Sequence, residues 1–342
     1  MNPLRKNTYI CQYKNHSVIF SGIENFHRRV KNSQIDANDI YVVFTAFYVG
    51  ANEKGMFTNW FRNILSTETS FILVLNSQEE EANVKKRFGK EILERNILVL
   101  NVGEFVAYYL MDKNSFHIQD CKKEYTSVLN GKKVGYKKRH LGDRVTHKIL
   151  ISSTPHKEVG DIPCLFKNDK FLSSDELNDI LNKCSVGMML SRREGQPRAI
   201  REYFLCGLPV VSLEADGGRM SYLNKGNAVI VKFKDPDNIK CNVKLAVDFL
   251  NENLHHYDPW RIRSNHIANM RFALDSILKN VAFVLNSTHG HDLTHEELLN
   301  LIDPSQFETI EDLKNTAPLP LNFEGVYTYI DTEENNLSDK IH

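Results

Sequence analysis

The stretch SRREGQPRAIREYFLCGLPVV, residues 191–211, sets two carboxylates, Glu194 and Glu202, with seven residues between them. Pro197 can open a helix, because a first-turn residue needs no N–H. Gly207 can close it, because glycine tolerates the left-handed conformation at a helix end. The spacing predicts a short helix over roughly 198–206. Its N-terminus would offer free N–H groups and the positive end of a dipole to an anion. Glu194 would stand in the loop before it. Glu202 would stand two turns into the helix, its side chain tilted back toward the same end. One carboxylate can meet a sugar-like polyol, and the other can accept two hydrogen bonds from a vicinal diol such as a ribose. An ionised acceptor strengthens such bonds.

A second constellation lies upstream. NGKKVGYKKRHLGDRV, residues 130–145, places five Lys or Arg within residues 132–139. Basic side chains are the expected complement of a diphosphate. In FSGIENFHRRV, residues 20–30, Gly22 follows a strand and precedes a helix, where a missing side chain lets the backbone approach a ligand.

These residues need a scaffold. Short, nearly all-apolar runs recur at 17–20, 40–47, 71–75 and 96–102, and again at 148–152, 186–191, 209–213 and 227–233. Runs apolar on both faces suit parallel strands covered by helices. Polar stretches of helical spacing separate them, as at 79–94, 173–185 and 235–253. Ser173 reads as an N-cap. The alternation predicts two doubly wound α/β halves joined near 120–130. Residues 258–285 read as a long amphipathic helix, with Ile262, Ile267, Met270, Phe272, Leu274, Ile277 and Leu278 on its apolar side.

The chain of 342 residues is too long for one ordinary core and suits two. Lys plus Arg and Asp plus Glu both number 43, so overall charge selects no polyanionic partner. The six cysteines are dispersed with no C-x-x-C pair, which argues against zinc and fits a reducing compartment. The histidines show no i, i+4 pairing with a carboxylate, so no metal is expected. The N-terminal residues hold no apolar segment of signal-peptide length, and no run is long enough to span a membrane.

EGQPRAIREYFLCGLPVVS resembles the C-terminal-domain signature of family-4 glycosyltransferases of the GT-B fold, whose E-x7-E motif precedes a G-x-P turn and a buried strand. EADGGRMSYLNKGNAVIV is similar to the Gly-Gly loop and next strand of a subgroup carrying GGR there. The resemblance covers about 45 continuous residues.

It implies two Rossmann-like doubly wound domains facing a central cleft: residues 1–122 on the acceptor side and 123–257 binding the donor. A helix at 258–285 would cross back to the first domain, and 286–342 would form an appended arm and tail. It also implies a retaining glycosyltransferase using a nucleoside diphosphate sugar, with no metal or cofactor. Glu202 would bind the ribose. Glu194 would face the donor sugar and reacting centre.

Lys133 and Lys138 have the five-residue spacing of the family's diphosphate grip. Lys132 and Lys137 share that spacing, and KRH favours Lys138. Gly22, with Ser21 and Ile23, would face the cleft, and His117 in DKNSFHIQD would touch the donor sugar. Gly195, Gln196 and Arg198 complete the donor-binding set. Pro197 departs from many relatives: one backbone donor is missing, or is supplied by Gln196 or Arg198, which bears on the identity of the sugar.

The expected partners are a nucleotide sugar and a glycan or lipid-linked acceptor in polysaccharide synthesis. The expected location is cytoplasmic, with peripheral contact at the inner face of a membrane. A protein or nucleic-acid acceptor, a non-catalytic nucleotide-sugar-binding subunit and a sugar-nucleotide epimerase are the alternatives, although nucleic acid is not the expected partner.

Overall fold

The computed structural model describes residues 8–45, 47–50, 55–67, 69, 71–95, 97–101, 116–131, 138–152, 163–195, 197–232, 238–302 and 328–330. Two of the residues singled out above, Lys133 and Gln196, lie outside the described residues, as do Lys132 and Lys137.

The chain divides into two compact units. The first comprises Met1–Met111, Gly217–Ser221 and Ile267–Leu321, and the second Asp112–Asp216, Tyr222–His266 and Asn322–His342. In the first unit the strands are β1 (Thr8–Tyr13), β2 (His16–Gly22), β3 (Ile40–Phe44), β4 (Phe71–Leu75) and β5 (Leu98–Asn101), and the early helices are α1 (Ile23–Lys31), α2 (Met56–Leu65) and α3 (Gln78–Glu94). In the second unit the strands are β6 (Tyr125–Asn130), β7 (Lys148–Ile151), β8 (Phe166–Lys167), β9 (Cys184–Met189), β10 (Val210–Leu213), β11 (Ala228–Val231) and β12 (Thr328–Ile330), with helices α4 (Ser174–Asn182), α5 (Arg198–Leu205) and α6 (Ile239–Glu252). Two further helices follow, α7 (Pro259–His289) and α8 (His295–Leu301).

The first sheet has the order β1-β2-β3-β4-β5. β1 pairs antiparallel with β2, and the remaining pairs are parallel. Its strands alternate side chains between two buried faces, as a period of two requires. Ile19, Tyr41, Val43, Leu73 and Leu75 pack with α1–α3 through Phe26, Phe61, Ile64, Val84 and Phe88. Val18, Phe20, Val42, Phe44, Ile72 and Val74 share a second cluster with α7 and α8. On α7 the buried positions Met270, Ala273, Leu274, Ile277, Leu278, Val281, Ala282 and Leu285 form one helical stripe.

The composition of 286–342 reads as an appended arm, but its first part is core. Leu293, Leu298, Leu299 and Ile302 are buried in that second cluster. Thr294 and Glu297 close a capping box that starts α8 and turns its leucines onto the sheet.

The second sheet is parallel throughout, in the order β12-β11-β10-β9-β6-β7-β8. The chain runs outward from β6 to β8, then returns to the other side of β6 with β9. This reversal puts a topological switch point between β6 and β9, where ligands enter open α/β sheets at the carboxyl ends of the strands. Ser173 caps α4 in a capping box with Glu176. No described helix is long and apolar enough to cross a membrane.

Candidate functional site

β6 and β9 end at Asn130 and Met189, on either side of the switch point. The loop leaving β9 carries Glu194 and leads into α5. Pro197 is the N-cap of that helix, with φ −70° and ψ 118°, rather than its first helical residue. The helix ends in a Schellman arrangement: Gly207 N–H donates to Phe204 O at 3.0 Å and Leu208 N–H to Tyr203 O at 2.9 Å. Gly207 has φ +71°, and a Cβ there would lie 2.5 Å from Pro259 Cβ, so both backbone and space require glycine.

Glu202 lies one turn into α5 rather than two, because the helix begins only at Arg198, and it is buried at 3% exposure. Its Oε2 accepts a hydrogen bond from Asn130 Nδ2 at 2.7 Å. Its Oε1 lies 2.9 Å from Arg198 Nε. Burial pushes the Glu202 carboxyl above its ordinary range, against the pull of Arg198 and of the Asn130 amide. Asn130 is also fixed through its main chain, whose N–H donates to the Tyr203 hydroxyl at 2.8 Å. Tyr203 is fully buried, and burial holds its phenol protonated well past the usual range. Its ring covers Gly187 so closely that a Cβ on Gly187 would fall 2.3 Å from Tyr203 Cδ2. A glycine in the central strand therefore makes room for the ring that holds the end of the neighbouring strand.

Glu194 is half-buried, and its Oε2 accepts from Ser191 Oγ at 2.7 Å. Gly195 beside it is buried. The loop is pinned to the one after β10: Arg193 pairs with Asp216 through Nε at 3.0 Å, and Asp216 N–H donates to Arg192 O at 3.0 Å. On the loop leaving β6, Lys138 adopts φ 50° and precedes a 3-10 turn at Arg139–Gly142. The imidazole of His140 is held below its ordinary range by burial and then by the charges of Lys240 and Lys138. Lys240 itself pairs with Asp143 at 2.5 Å.

Glu194, Gly195, Arg198, Glu202 and Lys138 all belong to loops and a helix start that leave the carboxyl ends of β6 and β9. His117 does not join them. Its N–H donates to Asn178 Oδ1 at 3.0 Å, and its carbonyl accepts from Asn182 Nδ2 at 2.9 Å. Asn182 ends α4, just before β9 begins, so His117 sits at the amino edge of the sheet. Two buried asparagines thus tie the backbone of His117 to that edge.

Gly22 is the N-cap of α1 at the carboxyl end of β2 in the first unit, and its φ of −64° is open to any residue. Sequence reasoning missed Asn130, Ser191 and Tyr203. The Asn-Gly pair closing YTSVLNG marks the end of β6 and was the available signal. Among the described residues no group of three or more His, Cys, Asp or Glu side chains could hold a metal ion.

Residues 169–253 match the family model described as glycosyl transferases group 1, a segment that runs from α4 to α6 and holds both glutamates. No curated protein sequence matches the chain. Among solved structures, TarM superposes with a TM-score of 0.54 at 12% identity, over 79% of this chain and 55% of TarM. This chain thus spans little more than half the length of TarM. HepE from Anabaena in complex with UDP gives a TM-score of 0.51 at 16% identity, over 79% of this chain and 78% of HepE. HepE in complex with UDP-glucose gives 0.53 at 14% identity, over 75% of this chain and 78% of that one. The fold is GT-B. Within this GT-B chain, the segment matched by the family model contains the loop and helix that hold Glu194, Gly195, Arg198 and Glu202.

Proposed function

We propose that this GT-B chain is a glycosyltransferase that moves a sugar from a nucleoside diphosphate sugar to a glycan or lipid-linked acceptor with retention of configuration. The observation that carries the reading is the buried Glu202, held at the switch point by Asn130 and Arg198 inside the family-matched segment. A buried carboxylate there suits a ribose diol, which supplies two donors to an ionised acceptor. Glu194, steadied by Ser191, would position the donor sugar and stabilise positive charge at its anomeric carbon. Lys138, Lys133 and the N-terminus of α5 would stabilise the departing diphosphate, where charge develops in the transition state. HepE, a structural neighbour, was solved with UDP-glucose, which makes that donor the first to try. We place the activity in the cytoplasm, in polysaccharide synthesis, with the acceptor presented at a membrane surface.

The test is a thermal-shift panel of UDP-, GDP- and ADP-sugars, followed by assay of free nucleoside diphosphate. A true donor at a hundred times its dissociation constant stabilises the protein by about 2.7 kcal/mol. Failure of every nucleotide sugar to stabilise the chain sinks the reading. Stabilisation without nucleoside diphosphate release in the presence of acceptors favours a binding subunit instead.

A further inference from the structure

The two oxygens of Glu202 are held by partners of unequal permanence. Asn130, on Oε2, is the last residue of β6 and is anchored by its own N–H to the hydroxyl of the fully buried Tyr203. Tyr203 cannot retreat, since its ring already fills the space over Gly187. Arg198, on Oε1, is the first residue of α5, and its side chain is 48% exposed against 4% for that of Glu202. A cation at that position opposes the positive end of the helix dipole. The order Arg then Glu at i, i+4 is also the weaker one for a helical ion pair. Among the described residues Glu202 is the partner that holds this guanidinium, whereas strand, helix and a buried phenol fix the amide.

A buried carboxylate cannot be left without donors, because the lost pairing costs more than the bond contributes. A ligand that uses Oε1 must therefore replace the Arg198 N–H with a donor of its own. We propose that Asn130 is a positioning residue that locks Glu202, and that Arg198 is its exchangeable partner, giving way at Oε1 to a ribose hydroxyl of the nucleotide and turning to the phosphates. The carboxylate keeps a donor on each oxygen throughout. The anion that the ligand brings takes over the guanidinium, so neither charge is stranded. This rests on the proposed function and adds a division of labour to it: Asn130 serves ribose recognition, and Arg198 serves diphosphate recognition.

Calorimetric titration of the full chain tests it. UDP, GDP and ADP are screened, and the tightest is then compared with its 2′-deoxy form and its plain nucleoside. Asn130→Ala should weaken the ribonucleotide by roughly tenfold or more, as loss of a bond to a charged group does, and should leave the deoxy form almost unmoved. Asn130→Asp, which keeps the backbone N–H and the size, should lose the same ribose preference. It serves if the alanine variant does not fold. Arg198→Met should weaken the diphosphate while sparing the nucleoside, and Arg198→Lys should recover part of the diphosphate affinity. Equal losses for ribo and deoxy forms in both Asn130 variants would overturn the positioning role. Equal losses for nucleoside and diphosphate in Arg198→Met would overturn the exchange. If the wild type binds no member of the panel, the proposed function falls and takes this inference with it. If it binds with the ribose preference unmoved by both Asn130 variants, only the inference falls.

Discussion

At the scale of single residues, the two glutamates were legible because their spacing and the Gly, Pro and Gly around them are local features. Asn130 and Ser191 were not. Each matters only through a partner, Glu202 or Glu194, and the Asn130 pairing spans 72 positions of sequence. Nothing local says which edge of a sheet a loop residue such as His117 will reach. The roles assigned to the pair lead to distinct expectations. Glu194→Gln should lower turnover by about an order of magnitude or more, with nucleoside diphosphate affinity nearly unchanged, because charge at the sugar develops only in the transition state. Nucleoside diphosphate release and calorimetric affinity, measured side by side, check it. A matching loss of affinity would move Glu194 into nucleotide binding. Lys138→Ala should reduce diphosphate binding and turnover and leave the plain nucleoside unaffected. An unaffected diphosphate would mean that this lysine is a solvated member of its loop.

At the scale of elements, the strands that read as continuous apolar runs are present, because burial on both faces writes itself into composition. β6 was missed, since Thr126 and Ser127 interrupt its apolar content although Ser127 is fully buried. β8 and β12 are too short for periodicity to register. Missing β6 hid the switch point, and with it the reason α5 sits where it does. The short helix read over roughly 198–206 is α5, Arg198–Leu205, with Pro197 as its cap, because Pro and Gly punctuate it at both ends. The fit between β9 and α5 can be tested directly. Gly187→Ala would place a methyl 2.3 Å from the Tyr203 ring, so the ring or the strand must move. Overpacking of this kind costs about 1–3 kcal/mol. We expect a lower urea midpoint and weaker nucleotide binding, since the Tyr203–Asn130 bond would be disturbed. Tyr203→Leu in the Gly187→Ala background should recover stability but not binding. Recovery of both would mean that the phenol does not serve the site.

At the scale of the whole molecule, the first unit closes late in the chain. One face of its sheet is covered by residues 267–302, so a fragment ending at 266 should expose Val18, Phe20, Val42, Phe44, Ile72 and Val74 and aggregate or remain molten. A soluble fragment with a cooperative unfolding transition would refute this. The same unit holds two groups whose titrations oppose each other. Glu80 is fully buried and accepts from Val49 N–H at 2.9 Å, Asn76 N–H at 2.8 Å and Asn76 Nδ2 at 2.8 Å. Burial outweighs those donors and pushes its carboxyl up to about 7 from 4.5. A raised carboxyl favours the folded state while protonated. Its contribution is whole below about pH 4.5, shrinks as pH rises and is gone above about 7, a loss of roughly 3 kcal/mol. His289 and His291 act the other way. They meet His16 where α7 ends, with ring centroids 4.0 and 5.3 Å from it. Burial, and then neighbouring positive charge from Lys14 and the other imidazoles, lower His291, and burial and His16 lower His289. A lowered imidazole favours the folded state while neutral, so its contribution is present above about pH 6.5 and is lost as pH falls. Urea unfolding followed from pH 4.5 to 8 should therefore show two opposing slopes. Glu80→Gln should remove the decline toward high pH and leave stability rising with pH through the histidine range. His291→Asn should flatten the acid side and leave the decline. If Glu80→Gln leaves the profile unchanged in shape, the carboxylate is ionised throughout, and its three donors, rather than its burial, set its charge.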